Sequence, residues 1–165
     1  MAKIRRHRGK GGKAEPFRFE NPMPSVPPYH VVLTDSAKAV YVDLHAKHKQ
    51  AEAKGDPTNS ACTTFRMVQE AIKVIIPQNP IDRKYALSGS LSNIFRIKKG
   101  RYRICWIASS EHRIIFILFI SESLRKEGDA NDPYRVFTKM VMTGEFDSIF
   151  DQLGIRKPNL NSTIQ

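Results

Sequence analysis

The run IIFILFI, residues 114–120, is the longest apolar stretch in the chain and constrains its fold most. It is far too short to cross a bilayer, which takes about 20 apolar residues as a helix. Odd and even positions are equally apolar. Read with period 2, this is a strand covered on both faces, hence the central strand of a sheet.

Upstream, FRIKKGRYRICW (95–106) alternates. Phe95 and Ile97 point one way and Arg96 and Lys98 the other; beyond Gly100, Tyr102, Ile104 and Trp106 oppose Arg101 and Arg103. An even-length loop keeps all the apolar residues on one face, and a loop at Lys99-Gly100 pairs Ile97 with Tyr102 and Phe95 with Ile104. That register sets Arg96 directly opposite Arg103. Five cations then stand within twelve residues that hold no carboxylate. Like charges across a ladder destabilise it by a few tenths to about 1 kcal/mol. A polyanion bound on that face offsets the repulsion.

The rest of the chain supplies the cover. HVVLT after Tyr29 reads as a short strand; Thr34 or Asp35 then caps a helix with Ala37, Tyr41, Leu44 and His48 on its apolar stripe. A second helix is expected from Asp56-Pro57, with the stripe Ala61, Phe65, Val68, Ile72, Ile75 closed by Pro77. After the central strand, Asp132 caps a third helix, with Pro133 at its first position and Gly144 past its end. The expected class is α+β: a short N-terminal strand and an antiparallel helix pair on a curled antiparallel meander, then a C-terminal helix. Residues 1–28 form a basic, proline-rich mobile arm, 29–154 the folded domain and 155–165 a polar tail that frays.

With 27 Lys and Arg against 16 Asp and Glu the chain carries +11, of which residues 1–20 supply +5. Such a balance points to nucleic acid, a ribosomal surface, an anionic membrane or an acidic protein. Only Cys62 and Cys105 are cysteines, too few for a disulfide framework or a thiolate zinc site, which fits a reducing cytoplasm. His45-x-x-His48 lacks the Glu of HExxH, and a lone turn histidine, His112, is more often inert than a general acid. The chemistry falls to the cationic face: Arg96, Lys98, Arg101 and Arg103, with Arg125 and Lys126 beyond the central strand. Clustered guanidiniums hold phosphate bidentately and favour the more highly charged transition state of phosphodiester cleavage.

GRYR at 100–103, followed by an apolar strand and then SLRKEGDANDPYRVFTKM at 123–140, resembles the YhaV-type toxins of bacterial toxin-antitoxin pairs, within the RelE/ParE-like superfamily. The likeness runs from about Tyr29 to Leu153. It implies a RelE-like fold and a metal-independent, cofactor-free endoribonuclease that cleaves mRNA at the ribosome, in the cytoplasm and without a membrane, and is neutralised by a PrlF-like antitoxin. It also implies that Arg103 and Arg125 grip the scissile phosphate and that Tyr134 stacks on a base or orients the nucleophile. The two strand lysines of RelE-type nucleases fall here on Ile94 and Arg96. Arginine, with a pKa above ~12, is a poor base, which leaves Lys98 or Lys99, whose pKa neighbouring arginines would lower, to take the 2′-hydroxyl proton, with Lys98 preferred. Arg96, Lys99, Arg101 and Lys126 would bind RNA. Two alternatives stay open: a non-catalytic ParE-like binder of nucleic acid or topoisomerase, and a degenerate toxin that only binds its antitoxin.

Overall fold

A computed structural model describes residues 28–121 and 132–160. The elements are β1 (His30–Leu33), α1 (Asp35–Ala53), α2 (Ser60–Glu70), α3 (Ile76–Gln78), β2 (Phe95–Lys99), β3 (Tyr102–Ser109), β4 (Ile114–Ser121), α4 (Pro133–Met142) and α5 (Asp147–Gln152). The class is α+β, as expected. One mixed, open sheet has the order β1-β4-β3-β2, with β1 parallel to β4 and the other pairs antiparallel. The apolar strand β4 is indeed central, paired on both edges.

Each face of the sheet has its own core. The α1–α2 pair covers Phe95, Ile97, Tyr102, Ile104, Trp106, Ile115 and Ile117. Opposite, α4 and α5 bring Phe137, Val141, Phe146 and Phe150 onto Cys105, Ile107 and Leu118. At full burial each of these side chains contributes about 1.5–3 kcal/mol. This two-sided cover is what an uninterrupted apolar β4 requires.

Local chemistry sets the ends of the elements. The Thr34 side chain accepts from the Ala37 amide at 3.4 Å, which starts α1 as expected. The second helix starts later than Asp56-Pro57: Asn59 accepts from the Ala61 amide at 2.9 Å and is the cap. Asp56 is occupied instead by the Thr58 hydroxyl at 3.0 Å, within a turn. Nor does Pro77 simply stop the helix. Proline lacks an N–H and its ring clashes with the carbonyl four residues back, and the turn before it, Ala71–Ile75, widens to a π-helix in which the Ile76 amide reaches the Ala71 carbonyl. At the C-terminus the polar tail is not wholly loose: Ile155 and Leu160 pack on the second core, and Lys157 pairs with Asp147 at 2.8 Å.

Two register features shape the functional face. The hairpin is correct in parity but shifted: Lys99 pairs with Tyr102, Lys98 with Arg103, Ile97 with Ile104, Arg96 with Cys105 and Phe95 with Trp106. The loop is Gly100-Arg101, not Lys99-Gly100. Gly100 has φ +56° and takes the first loop position, where a tight hairpin turn favours glycine. The directly opposed cations are therefore Lys98 and Arg103, and Arg96 is diagonal to Arg103 rather than facing it. The second feature is a bulge. Trp106 pairs with Ile117 and Cys105 with Phe119, so Leu118 is the extra residue in β4. Its carbonyl accepts from the Thr34 hydroxyl at 2.9 Å. Past the bulge the alternation is reset, and Phe119 and Ser121 join the face that carries Cys105 and Arg103.

Candidate active site

On the face opposite α1 and α2, a narrow cleft of about 10 Å³, room for roughly one water molecule, lies between β2–β3 and the first turn of α4. Its apolar floor is Leu87, Cys105, Phe119 and Phe137; its polar wall is Arg96, Arg103, Asp132 and Tyr134. A shallower depression continues past Ala86 and Ser88, sharing Leu87, Arg96 and Tyr134. Together they make a groove.

Each wall residue is fixed by a different element. Arg96 and Arg103 come from the outward positions of the hairpin, where alternation puts them on one face. Tyr134 stands in the first turn of α4, whose start is set by Asp132: its carboxylate accepts from the Tyr134 amide at 3.0 Å. Asp132 is buried, and Tyr134 is 40% exposed. The rings of Phe119 and Phe137, 5.5 Å apart, dock the helix on the strand. Without the bulge Phe119 would face the wrong way.

Burial pushes the Cys105 thiol up to about 12, although the Arg96 and Arg103 guanidiniums pull it down. The thiol stays protonated near neutrality and is floor rather than nucleophile. Arg103 Nη1 donates to the Arg101 carbonyl at 3.5 Å, and Arg96, Lys98 and Arg103 form no ion pair among the described residues. Among the described residues the wall sets two guanidiniums and one carboxylate beside an apolar floor, an arrangement that can grip a phosphate oxygen at the mouth of the cleft.

The residues singled out by sequence divide into three groups. Arg96, Arg103 and Tyr134 line the pocket. Lys98 shares the face, opposite Arg103, but sits outside the pocket wall. Lys99 and Arg101 are corrected to the other side: Lys99 pairs with Tyr102, whose ring packs in the core under α1 and α2, and Arg101 lines a separate groove there with Leu44, Thr64 and Met67. Arg125 and Lys126 lie outside the described residues, as does the arm through residue 27. Of the residues on either side, Ser121 pairs with Arg103 and Asp132 lines the pocket.

Two histidines weighed in the sequence lie away from the pocket. His48 is buried in the helix pair, stacked on Phe65 at 4.8 Å with its Nε2 3.3 Å from Glu52. His112 lies in the β3–β4 turn at the far end of β4, about 20 Å of strand from Phe119. Sequence reasoning read Asp132 only as a helix cap; the Asp-x-Tyr spacing was its one signal. Cys105, Phe119 and Phe137 were missed as floor because nothing in their apolar pattern distinguishes pocket from core.

No helix among the described residues is long and apolar enough to cross a membrane. Comparison with known proteins gives three results. No curated protein sequence matches the chain. Among solved structures, the RelBE2 toxin–antitoxin complex from Mycobacterium tuberculosis is similar, at 23% identity and TM-score 0.40, over 57% of this chain and 90% of that one. The isolated E. coli RelE toxin is 16% identical with TM-score 0.44, over 70% of this chain and 97% of its own. The profile of the YhaV toxin family, described as a toxin with endonuclease activity of a toxin-antitoxin system, matches residues 29–157. The chain thus belongs to the YhaV toxin family: it is the toxin of a toxin-antitoxin pair, with endonuclease activity and an antitoxin as its partner.

Proposed function

We propose that the nuclease acts on mRNA and cleaves it by attack of the 2′-hydroxyl on the adjacent phosphorus, needing no metal. The observation that carries this reading is the meeting of Arg96, Arg103 and Tyr134, from three separate elements, around one pocket. Guanidiniums on one wall stabilise the extra charge of the phosphorane-like transition state. An exposed tyrosine on the other stacks a base and aligns the neighbouring ribose. Arg125 stands four residues beyond Ser121, and four residues of extended chain reach about 14 Å at most; we assign it, with Lys126, to the same phosphate. Lys98 extends the cationic track along the face and draws in the incoming strand.

The test is cleavage of a defined RNA by the purified toxin. Wild type is expected to leave 2′,3′-cyclic phosphate and 5′-hydroxyl ends in the presence of EDTA, and to spare the DNA analogue. Arg103→Ala and Arg125→Ala should each lower the rate by about 10²-fold or more while the fold is kept. Retained cleavage in both would reject these assignments. Primer extension on transcripts after induction, with and without translation, decides ribosome dependence: we expect breaks on translated messages only. Gyrase-dependent DNA breaks with intact mRNA would favour the topoisomerase-binding alternative. For the antitoxin we propose a PrlF-like protein whose acidic segment covers the cationic groove.

A further inference from the structure

We propose that Asp132 is the general base of the reaction, a role the strand lysines hold in RelE-type nucleases and which this chain places elsewhere. The inference rests on the RNA-cleavage reading above. Five of the pocket's lining residues carry groups with exchangeable protons: Arg96 from β2, Arg103 and Cys105 from β3, and Asp132 and Tyr134 from the start of α4. Guanidiniums do not release protons near neutrality, a phenol is protonated there, and the Cys105 thiol is held protonated by burial. The Asp132 carboxylate is the one proton acceptor in that wall among the described residues. Lys98 is on the same face but outside the pocket.

Geometry supports the role. Asp132 is buried beside Tyr134, and its Oδ1 accepts the Tyr134 amide at 3.0 Å, which holds the carboxylate in place. A carboxylate offers about four acceptor sites, so it can receive a substrate hydroxyl alongside its partners in the fold. The same residue thus orients the ring that stacks the base and receives the proton of that nucleotide's ribose. In the step, the 2′-hydroxyl proton passes to Asp132, the 2′-oxygen bonds to phosphorus, and the bond from phosphorus to the 5′-oxygen breaks. The leaving oxygen takes a proton from water, and Asp132 returns its own to solvent. Nothing is oxidised or reduced.

Asp132→Asn and Asp132→Ser test it, because both retain a good N-cap acceptor and neither is a base. In single-turnover cleavage of an RNA oligonucleotide each should be slower by about 10²–10⁴-fold. Both should bind a 2′-O-methyl RNA, which cannot react, at least as tightly as wild type, since a negative charge has left a cationic wall. A variant within about fivefold of wild type would overturn the inference, as would loss of 2′-O-methyl RNA binding by both variants, which would make Asp132 purely structural. Cyclic-phosphate ends from wild type alongside full-rate variants sink this inference alone; no RNA cleavage by wild type sinks the functional reading with it.

Discussion

Replacing Lys98 by Gln and then Glu separates what the hairpin needs to fold from what it needs to bind. Lys98 faces Arg103 across the ladder, with Arg96 on the diagonal, and no ion pair to any of them forms among the described residues. Two unit charges about 7 Å apart in water-like surroundings repel by about 0.6 kcal/mol. Removing one should raise stability by about that amount, and reversing it by about twice as much, toward the upper end of cross-strand pair energies. Urea unfolding should therefore rank Lys98→Glu above Lys98→Gln and both above wild type, with unchanged slope. In 1 M salt, where the screening length falls to about 3 Å, the differences should nearly vanish. RNA affinity should run the other way. Losing one phosphate contact lowers the salt dependence of binding to a single strand by about 0.7 in log–log slope. A series in which Lys98→Glu is the least stable protein, or in which the order survives high salt, would refute the claim that uncompensated charge on this face is kept at the expense of stability.

Three further outcomes follow from packing. Trp106→Phe removes the indole N–H that donates to the Pro80 carbonyl at 2.8 Å inside the core; an unsatisfied buried acceptor costs about 1–3 kcal/mol, and a urea midpoint shifted by less than the low end would show that the bond is dispensable. The Cys105 thiol has its pKa raised from 9.0 to about 12 by burial, so the unfolded chain ionises first and stability falls between those values by up to about 1.4 kcal/mol per pH unit. Cys105→Ala should flatten that part of the stability–pH curve, as measured by urea melts from pH 8 upward. Gly144 has φ +81°, and a Cβ there would meet Asp147 Oδ2 at 2.8 Å; Gly144→Ala should lower stability by more than about 1 kcal/mol.

The main elements were legible because their signals are local. Thr34, Asp132, Pro133 and Gly144 mark helix ends by side-chain chemistry, and β4 declares its central place by being apolar on both faces. The hairpin was legible in parity, which alternation dictates, but not in register, which depended on the turn taking Gly100 first. The bulge at Leu118 was invisible for a related reason: a strand apolar at every position looks the same with one residue inserted. With it went the pocket floor, since Phe119 reaches that face only past the bulge. The site was half legible. Alternation grouped Arg96, Lys98 and Arg103, whereas bringing Tyr134 to them depends on how α4 docks, a tertiary fact with no periodic signature. The resemblance to YhaV toxins bridged that gap by pairing strand arginine with helix tyrosine before any geometry was known.

The pocket draws Arg96 and Arg103 from one stretch of chain and Asp132 and Tyr134 from another made later, with Phe137, Phe146 and Phe150 needed behind them to seat the helix. A nascent polypeptide that has not reached residue 132 owns only one jaw of the clamp. Synthesis from the N-terminus therefore completes the pocket last, and a product that stops short of residue 132 lacks half of its polar wall.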